Sequence, residues 1–352
     1  MSQEVDFTEL TQRVKDALAG AANATGATML PTETADEIIG IVYERNFMRS
    51  LFPAMPMSRR KMNIPKLAGS VDFHQQTLGM TEAGTASGES RHLTSEITLE
   101  LKTMIANIPI GNYLVAYGVE GLMAVLRDDI ASRLAFNESS LLLNGDENTD
   151  SDTYVANING AYSLANNPLG VSGTVNDYKL LFNGLRKSAT ATSVNAAGAL
   201  SLASIRTAIA SLGIYADNRD DLALIVPRAV EVELLGITEL QTVDKYGPTA
   251  TILNGEIGKI YGVRVFGTGA LPTNLDANGV VPAAHNGDKG LAVLTHIRSP
   301  LIGNPTIAER RFSIGFHDEP TKDRFVLIPK QDMAFGVRYP EAICLLTNIT
   351  TV

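Results

Sequence analysis

The chain changes hydrophobic period along its length, and each change marks a structural element. From Thr94 to Leu101, Thr94, Glu96, Thr98 and Glu100 alternate with Ile97, Leu99 and Leu101. A period of two puts the three apolar residues on one face of a strand. The stretch before it, "GMTEAGTASGESRH", is polar and glycine-rich, and the segment running in, "KMNIPKLAGSVDFHQQ", is the natural pairing partner. The pattern predicts a ribbon with a polar tip. A two-stranded ribbon alone is at best marginally stable in water, so its packing surface is expected to belong to another molecule.

Helical periodicity takes over further on. Thr34 and Glu37 have capping-box spacing, with Ile38 and Val42 continuing an apolar face until Pro53, which predicts a helix from about 34 to 50. Residues 119–143 contain no proline and a single glycine, and Leu122, Leu126, Ile130 and Leu134 recur every four residues. That spacing predicts a helix on the order of 37 Å long, stopped by "NGDENTDSD" with Gly145 as its cap. "NDYKLLFNGLRKS" and "SLASIRTAIASLG" read as helices, the second running from Ser201 to Gly213. "LALIVP" reads as a buried strand, Pro227 as the opening of helix "RAVEVELLG", Asn254-Gly255 as a turn, and "KIYGVRVF" as a further strand. The closing segments "GLAVLTHIRSP", "ERRFSIGF" and "DRFVLIPKQDMAFGV" are strand-like, with "HDEPTK" as a hairpin turn. These strands are expected to return and pack on the long helix. The class is α+β.

Composition narrows the possibilities. With 352 residues, 45% of them hydrophobic, the chain has enough apolar material for a substantial core. Only 19% are charged, which favours a surface consumed by contacts with other chains. The net charge of −9 argues against a dedicated nucleic-acid binder. The lone Cys344, in "EAICLLTN", reads as a small buried hydrophobe and excludes an internal disulfide framework. The acidic start "MSQEVDFTEL" lacks the features of a secretory signal, and no apolar run approaches the roughly 18 residues of a membrane span. The expectation is a protein of the cytoplasm with no membrane partner.

Chemistry is sparse. His74, His92, His285, His296 and His317 are scattered, without the spacing of a helical metal pair, so no metal is assigned. Gly267 and Gly269 follow a strand but lack the third glycine of a dinucleotide fingerprint, and Pro272 spoils a helix start, so no cofactor is assigned. There is no Walker lysine motif and no nucleophile elbow, and no catalytic residue is assigned. Asp128-Asp129 on the long helix and Arg310-Arg311 beside a strand are candidates for ion pairs between chains.

The order of these elements resembles the major capsid proteins of tailed double-stranded DNA bacteriophages, which share the Hong Kong 97-type fold. The resemblance rests on "LPTETADEIIGIVYERNFMRSLFPAMPM", the long helix ending "SSLLLNGD", "ALIVPRAVEVELLGI", "DKYGPTATILNGEIGKIYGVRVFGTGALP" and "DRFVLIPKQDMAF", and covers nearly everything after Met29. It implies an N-terminal arm and leading helix at 1–58, an extended loop at 59–102, a peripheral domain at 103–149 and 291–334 with spine helix 119–143, and an axial domain at 150–290 and 335–352. It further implies a non-enzymatic virion protein, assembled in the host cytoplasm. This protein would form hexamers and pentamers of an icosahedral head and enclose DNA without reading its sequence. A portal protein and separate scaffolding and decoration proteins are the implied partners. The extended loop would lie across a neighbouring subunit, contributing Leu78, Met80, Glu82, Arg91, Ile97, Leu99 and Leu101. Some members weld subunits through a loop lysine, whereas here no lysine lies between His74 and Leu101. A nanocompartment shell of the same fold is the alternative reading, and an α/β enzyme of unknown chemistry a more distant one.

Overall fold

A computed structural model of the chain describes residues 48–67, 94–112, 122–147, 158–159, 177–189, 192–235, 256–282, 287–307, 310 and 312–350. The chain forms two compact units. Among the described residues, the first takes in those within 105–133 and 313–330, and the second those within 48–104, 134–312 and 331–350.

The second unit is built on a six-stranded mixed sheet. Its members are β6 (Ser193–Gly198), β7 (Leu222–Pro227), β8 (Glu256–Ile260), β9 (Val263–Thr268), β10 (Lys289–His296) and β14 (Ile343–Thr350), in the spatial order β6-β14-β10-β7-β9-β8. β7 lies at an interior position, parallel to β9 and antiparallel to β10. Its run Leu-Ala-Leu-Ile-Val-Pro is buried at every position, as a strand covered on both faces must be. Alternate residues serve separate cores. Ala223, Ile225, Phe266, Leu291, Val293 and Ile343 pack with Leu141, Leu142, Leu143, Phe182 and Leu185. Leu222, Leu224, Val226, Val263, Val265, Ala292, Leu294 and Cys344 pack with Ile205, Ala208, Ile209, Val230 and Leu234. The latter five come from α4 (Leu202–Ser211) and α5 (Arg228–Leu235).

The long helix, α2, runs Leu122–Asn144, and its last full turn is buried on every side. Gly145 ends it for a reason other than the expected left-handed cap: a Cβ there would strike Phe182 O and lie 2.8 Å from Leu141 O, so close backbone approach demands glycine. The helix predicted over "NDYKLLFNGLRKS" is broken into a 3-10 turn, Tyr178–Leu180, and the four-residue α3, Leu185–Ser188. Asp177 caps the first piece, and Gly184 packs its backbone against Leu141 O, Leu142 O and Gly145 N. By contrast, α4 begins at the capping residue Ser201 and stops before Gly213, whose φ is +54°. "KIYGVRVF" is two strands, not one: Tyr261 and Gly262, with φ of 53° and 84°, form the tight turn of the β8–β9 hairpin.

The same unit contains α1 (Met48–Leu51), which is the part of the predicted 34–50 helix within the described residues. β1 (Ala54–Met57) pairs parallel with β11 (Pro300–Pro305), which pairs antiparallel with residues 334–337 of β13 (Arg324–Val337). The expected ribbon is present. β2 (Lys61–Leu67) and β3 (Thr94–Glu100) pair antiparallel with Ile64 opposite Ile97. In the first unit, residues 324–330 of β13 pair with β12 (Ser313–Glu319), and its residues 324–327 also pair with β5 (Ile108–Gly111). There Ile110, Leu327 and Ile314 pack on Ile130 of α2, so closing strands do return to the long helix. Between β3 and β5, β4 spans Lys102–Ile105.

Candidate assembly surface

The ribbon has two chemically distinct faces. Asn63, Glu96 and Thr98 point outward, where Asn63 Nδ2 donates to Glu96 Oε2 at 3.1 Å and Thr98 Oγ1 donates to Asn63 Oδ1 at 3.1 Å. Arg60 reaches Glu100 at 3.2 Å. On the inner face, Met62, Ile64, Ile97 and Leu101 surround Leu99, which packs with Met57, Leu301 and Ala334 of its own chain. Leu99 is 0% exposed. The expectation that another molecule buries this face is therefore corrected at its centre: β1, β11 and β13 cover Leu99 and leave it no surface to offer. Ile97 and Leu101 are half-buried. Leu78, Met80, Glu82 and Arg91 lie outside the described residues.

The ion-pair candidates divide similarly. Arg310 is exposed and pairs at 3.6 Å with Asp332 of its own chain, which also accepts from Thr103 Oγ1 at 2.7 Å. An internal carboxylate thus takes the role expected of a neighbour. Asp129 is exposed on α2. The Asp128 side chain and Arg311 lie outside the described residues. Lys66 Nζ donates to Arg338 O at 3.1 Å and Lys102 Nζ pairs with Glu147 at 2.7 Å, so these two amines near the ribbon base have partners in their own chain.

A buried polar hub, which the sequence reading missed, holds the end of α2. Arg186 is 4% exposed. Its Nη1 donates to Asn144 Oδ1 and its Nη2 to Gly279 O, both at 2.7 Å. Asn144 Nδ2 donates to Ala270 O at 2.7 Å, and Asn159 Nδ2 donates to Asn144 O at 2.7 Å. Buried Asp146 accepts from Ile158 N and pairs with Lys187 at 2.8 Å. Burial brings the Arg186 guanidinium down to about 10, against the opposing pull of Asp146. Burial also lowers Lys179 and raises Tyr178. A single arginine in an apolar-looking stretch gives no pattern to read, although the pair Asn144 and Asp146 at a helix end is the kind of polar cluster that needs a partner.

Among the described residues no group of three His, Cys, Asp or Glu side chains could hold a metal ion, and no helix is long and apolar enough to cross a membrane. Burial raises the Cys344 thiol, opposed by a hydrogen bond from Ser211, which suits packing rather than nucleophilic chemistry. What the surface offers instead is apolar area. Phe316 on β12 is 68% exposed and Ile214 78%, with Ile105, Ile307, Phe312, Val232 and Leu235 also open.

A mixed α+β fold with a long helix and a two-stranded ribbon is the Hong Kong 97-type fold. The phage capsid family matches residues 26–229, and the chain belongs to that family. It is 26% identical over 140 residues to the major capsid protein of Klebsiella oxytoca phage phiKO2, a stretch covering 40% of this chain and 31% of that relative. The match thus spans about a third of the relative's length. Among solved structures, the fold is similar to the capsid of a native GTA particle (TM-score 0.56, 13% identity, covering 94% of this chain and 99% of that one). It is also similar to Gordonia phage Cozz (0.57, 10%, 94% of each) and to the asymmetric unit of the bacteriophage PhiM1 mature capsid (0.55, 12%, 92% of each).

Proposed function

We propose that this chain is a major capsid protein that self-assembles into the hexamers and pentamers of an icosahedral phage head enclosing double-stranded DNA. The family match over residues 26–229 carries the reading, and the fold similarity across more than nine-tenths of the chain supports it. In this reading the ribbon is the base of an extended loop reaching a neighbouring subunit through its tip residues Leu78, Met80, Glu82 and Arg91, flanked by Ile97 and Leu101. Residues 103–149 and 291–334 serve as the peripheral domain, and 150–290 with 335–352 as the axial domain. Asp128, Asp129 and Arg311 remain candidates for pairing between subunits. A net charge of −9 suits an inner wall that does not grip phosphate. A portal protein, a scaffold and a decorating protein are the partners such a shell uses, and the protein acts as a structural component of the virion after assembly in the host cytoplasm.

Expression of the full chain with its neighbouring head genes, followed by electron microscopy, tests this. Closed shells containing DNA are expected. Shells filled with protein cargo would favour a nanocompartment, and a protein that stays monomeric under all assembly conditions would overturn the reading.

A further inference from the structure

The ribbon base is not merely laid on its own chain but fitted into it. A Cβ at Gly336 of β13 would lie 2.7 Å from Leu99 Cδ2 and 3.3 Å from Ile97 Cγ2. Beside it, a Cβ at Gly303 of β11 would collide with Met57 Sδ and lie 2.8 Å from Ala334 Cβ. Two missing side chains on adjacent strands thus open the depression into which Leu99 and Met57 fit. Lys66 Nζ, bonded to Arg338 O, fastens the other strand of the ribbon two residues beyond Gly336. Ser95 lies on the same face as Ile97 and Leu99, and its Oγ is buried with no hydrogen-bond partner among the described residues.

We propose that this seat is a latch: Leu99 held over Gly336 fixes the direction in which the ribbon leaves its own body before any neighbour is met. A ribbon of two strands cannot hold a direction by itself. The apolar layer at Leu99 supplies the hold, and the unpaired Ser95 hydroxyl limits how strongly the ribbon stays down. The meaning of the latch for shell assembly rests on the capsid reading above; the latch itself does not.

The seat can be filled one methyl at a time. Gly336 does not have a positive φ, so alanine is compatible with its backbone and acts through contact alone. Carbon atoms pack at about 3.5–4.0 Å, so Leu99 must retreat by about 1 Å to admit the methyl of Gly336→Ala. Shortening Leu99 to alanine removes the colliding atoms and should relieve the clash.

The direction of the ribbon is measurable in the full chain. Spin labels at Thr98→Cys, on the exposed face of β3, and Thr207→Cys, on the exposed face of α4, report the distance between ribbon and body, while Cys344 is fully buried and stays unlabelled. The parent is expected to give one narrow distance distribution by pulsed electron paramagnetic resonance on unassembled subunits. Gly336→Ala, which displaces the held side chain, and Leu99→Ala, which removes it, should each shift and broaden it. An unchanged distribution in Gly336→Ala, or a broad one in the parent, would overturn the latch. Should Gly336→Ala fail to fold, folding restored by the added Leu99→Ala supports the latch, and failure of the double variant as well overturns it. Because these distances need no shell, a parent chain that never assembles would defeat the capsid reading without touching the latch.

Discussion

The hub at the end of α2 makes Asn144→Ala the most informative single substitution for stability. The side chain of Asn144 accepts from Arg186 and donates to Ala270 O, each at 2.7 Å and away from solvent. Alanine leaves a buried guanidinium short of an acceptor, a loss of roughly 1.5–3 kcal/mol for a hydrogen bond to a charged group, and orphans a carbonyl at roughly 1–3 kcal/mol. Water cannot easily repair either, because Leu141, Leu142 and Leu143 close the surroundings. The combined cost is about 3–5 kcal/mol, a large part of the stability of an ordinary domain. In a thermal melt of the unassembled subunit, this corresponds to a fall on the order of 10 °C. Asn144→Asp separates the two losses: the carboxylate still accepts from Arg186 and neutralises it but cannot donate to Ala270 O, so its melting temperature should lie between alanine and parent. An alanine variant melting within a degree or two of the parent would refute the claim that the hub holds the helix end.

Three further outcomes are expected. Ser95→Ala removes a buried hydroxyl with no hydrogen-bond partner among the described residues and should raise the stability of the unassembled chain by about 1 kcal/mol; a lower denaturation midpoint would show that the hydroxyl is satisfied. Burial depresses the His296 pKa, against Asp221 and together with Arg298, and its Nδ1 accepts from Arg298 N. The unfolded chain therefore binds this proton more tightly, the associated stability is present above the ordinary value of 6.5 and is lost as pH falls through the depressed value, so His296→Gln should flatten the acid side of a melting-temperature profile; an unchanged slope would count against it. Boiling assembled particles in detergent should give one band near 37.6 kDa, and a ladder of multiples surviving reduction would reveal covalent welding.

Where the sequence was legible, one residue type controlled one local choice. Alternation between Thr94 and Leu101 specified the ribbon, Ser201 and Gly213 bracketed α4, and the apolar run at 222–227 could only be a strand covered on both faces. Legibility failed where backbone approach or distant partners decided. Gly184 and Gly145 break the chain around α3 because the backbones there pass too close for a Cβ, a demand that helical periodicity does not register. Tyr261-Gly262 hid a hairpin inside a strand-like segment, since tyrosine is not the usual residue at a positive φ. Arg186 and its partners are separated by 42 and 93 residues, and Arg310 finds Asp332; no local pattern announces either contact.

The seating of Leu99 also changes where cohesion between copies must come from. A ribbon whose apolar face was free would bring its own adhesive, at about 25 cal/mol for each Å² buried. Here the strongest part of that face is already spent on β11 and β13, and the outward face is a polar ladder whose groups are hydrogen-bonded to one another. Lys66 and Lys102 near its base are likewise tied to Arg338 and Glu147. A neighbour approaching the described part of the ribbon therefore meets groups with little unsatisfied demand. The demand lies elsewhere: with Phe316 and Ile105 in the first unit and Phe312, Ile214, Val232 and Leu235 in the second, large side chains open to water on the isolated chain. Each is worth about 1.5–3 kcal/mol when fully covered, too little to hold two copies once the cost of association is met. A shell that repeats such contacts around every subunit gains by linkage what no single contact supplies. For this reason the exposed phenylalanines and isoleucines, more than the ribbon's inner face, are the positions at which a single polar substitution should separate folding from assembly.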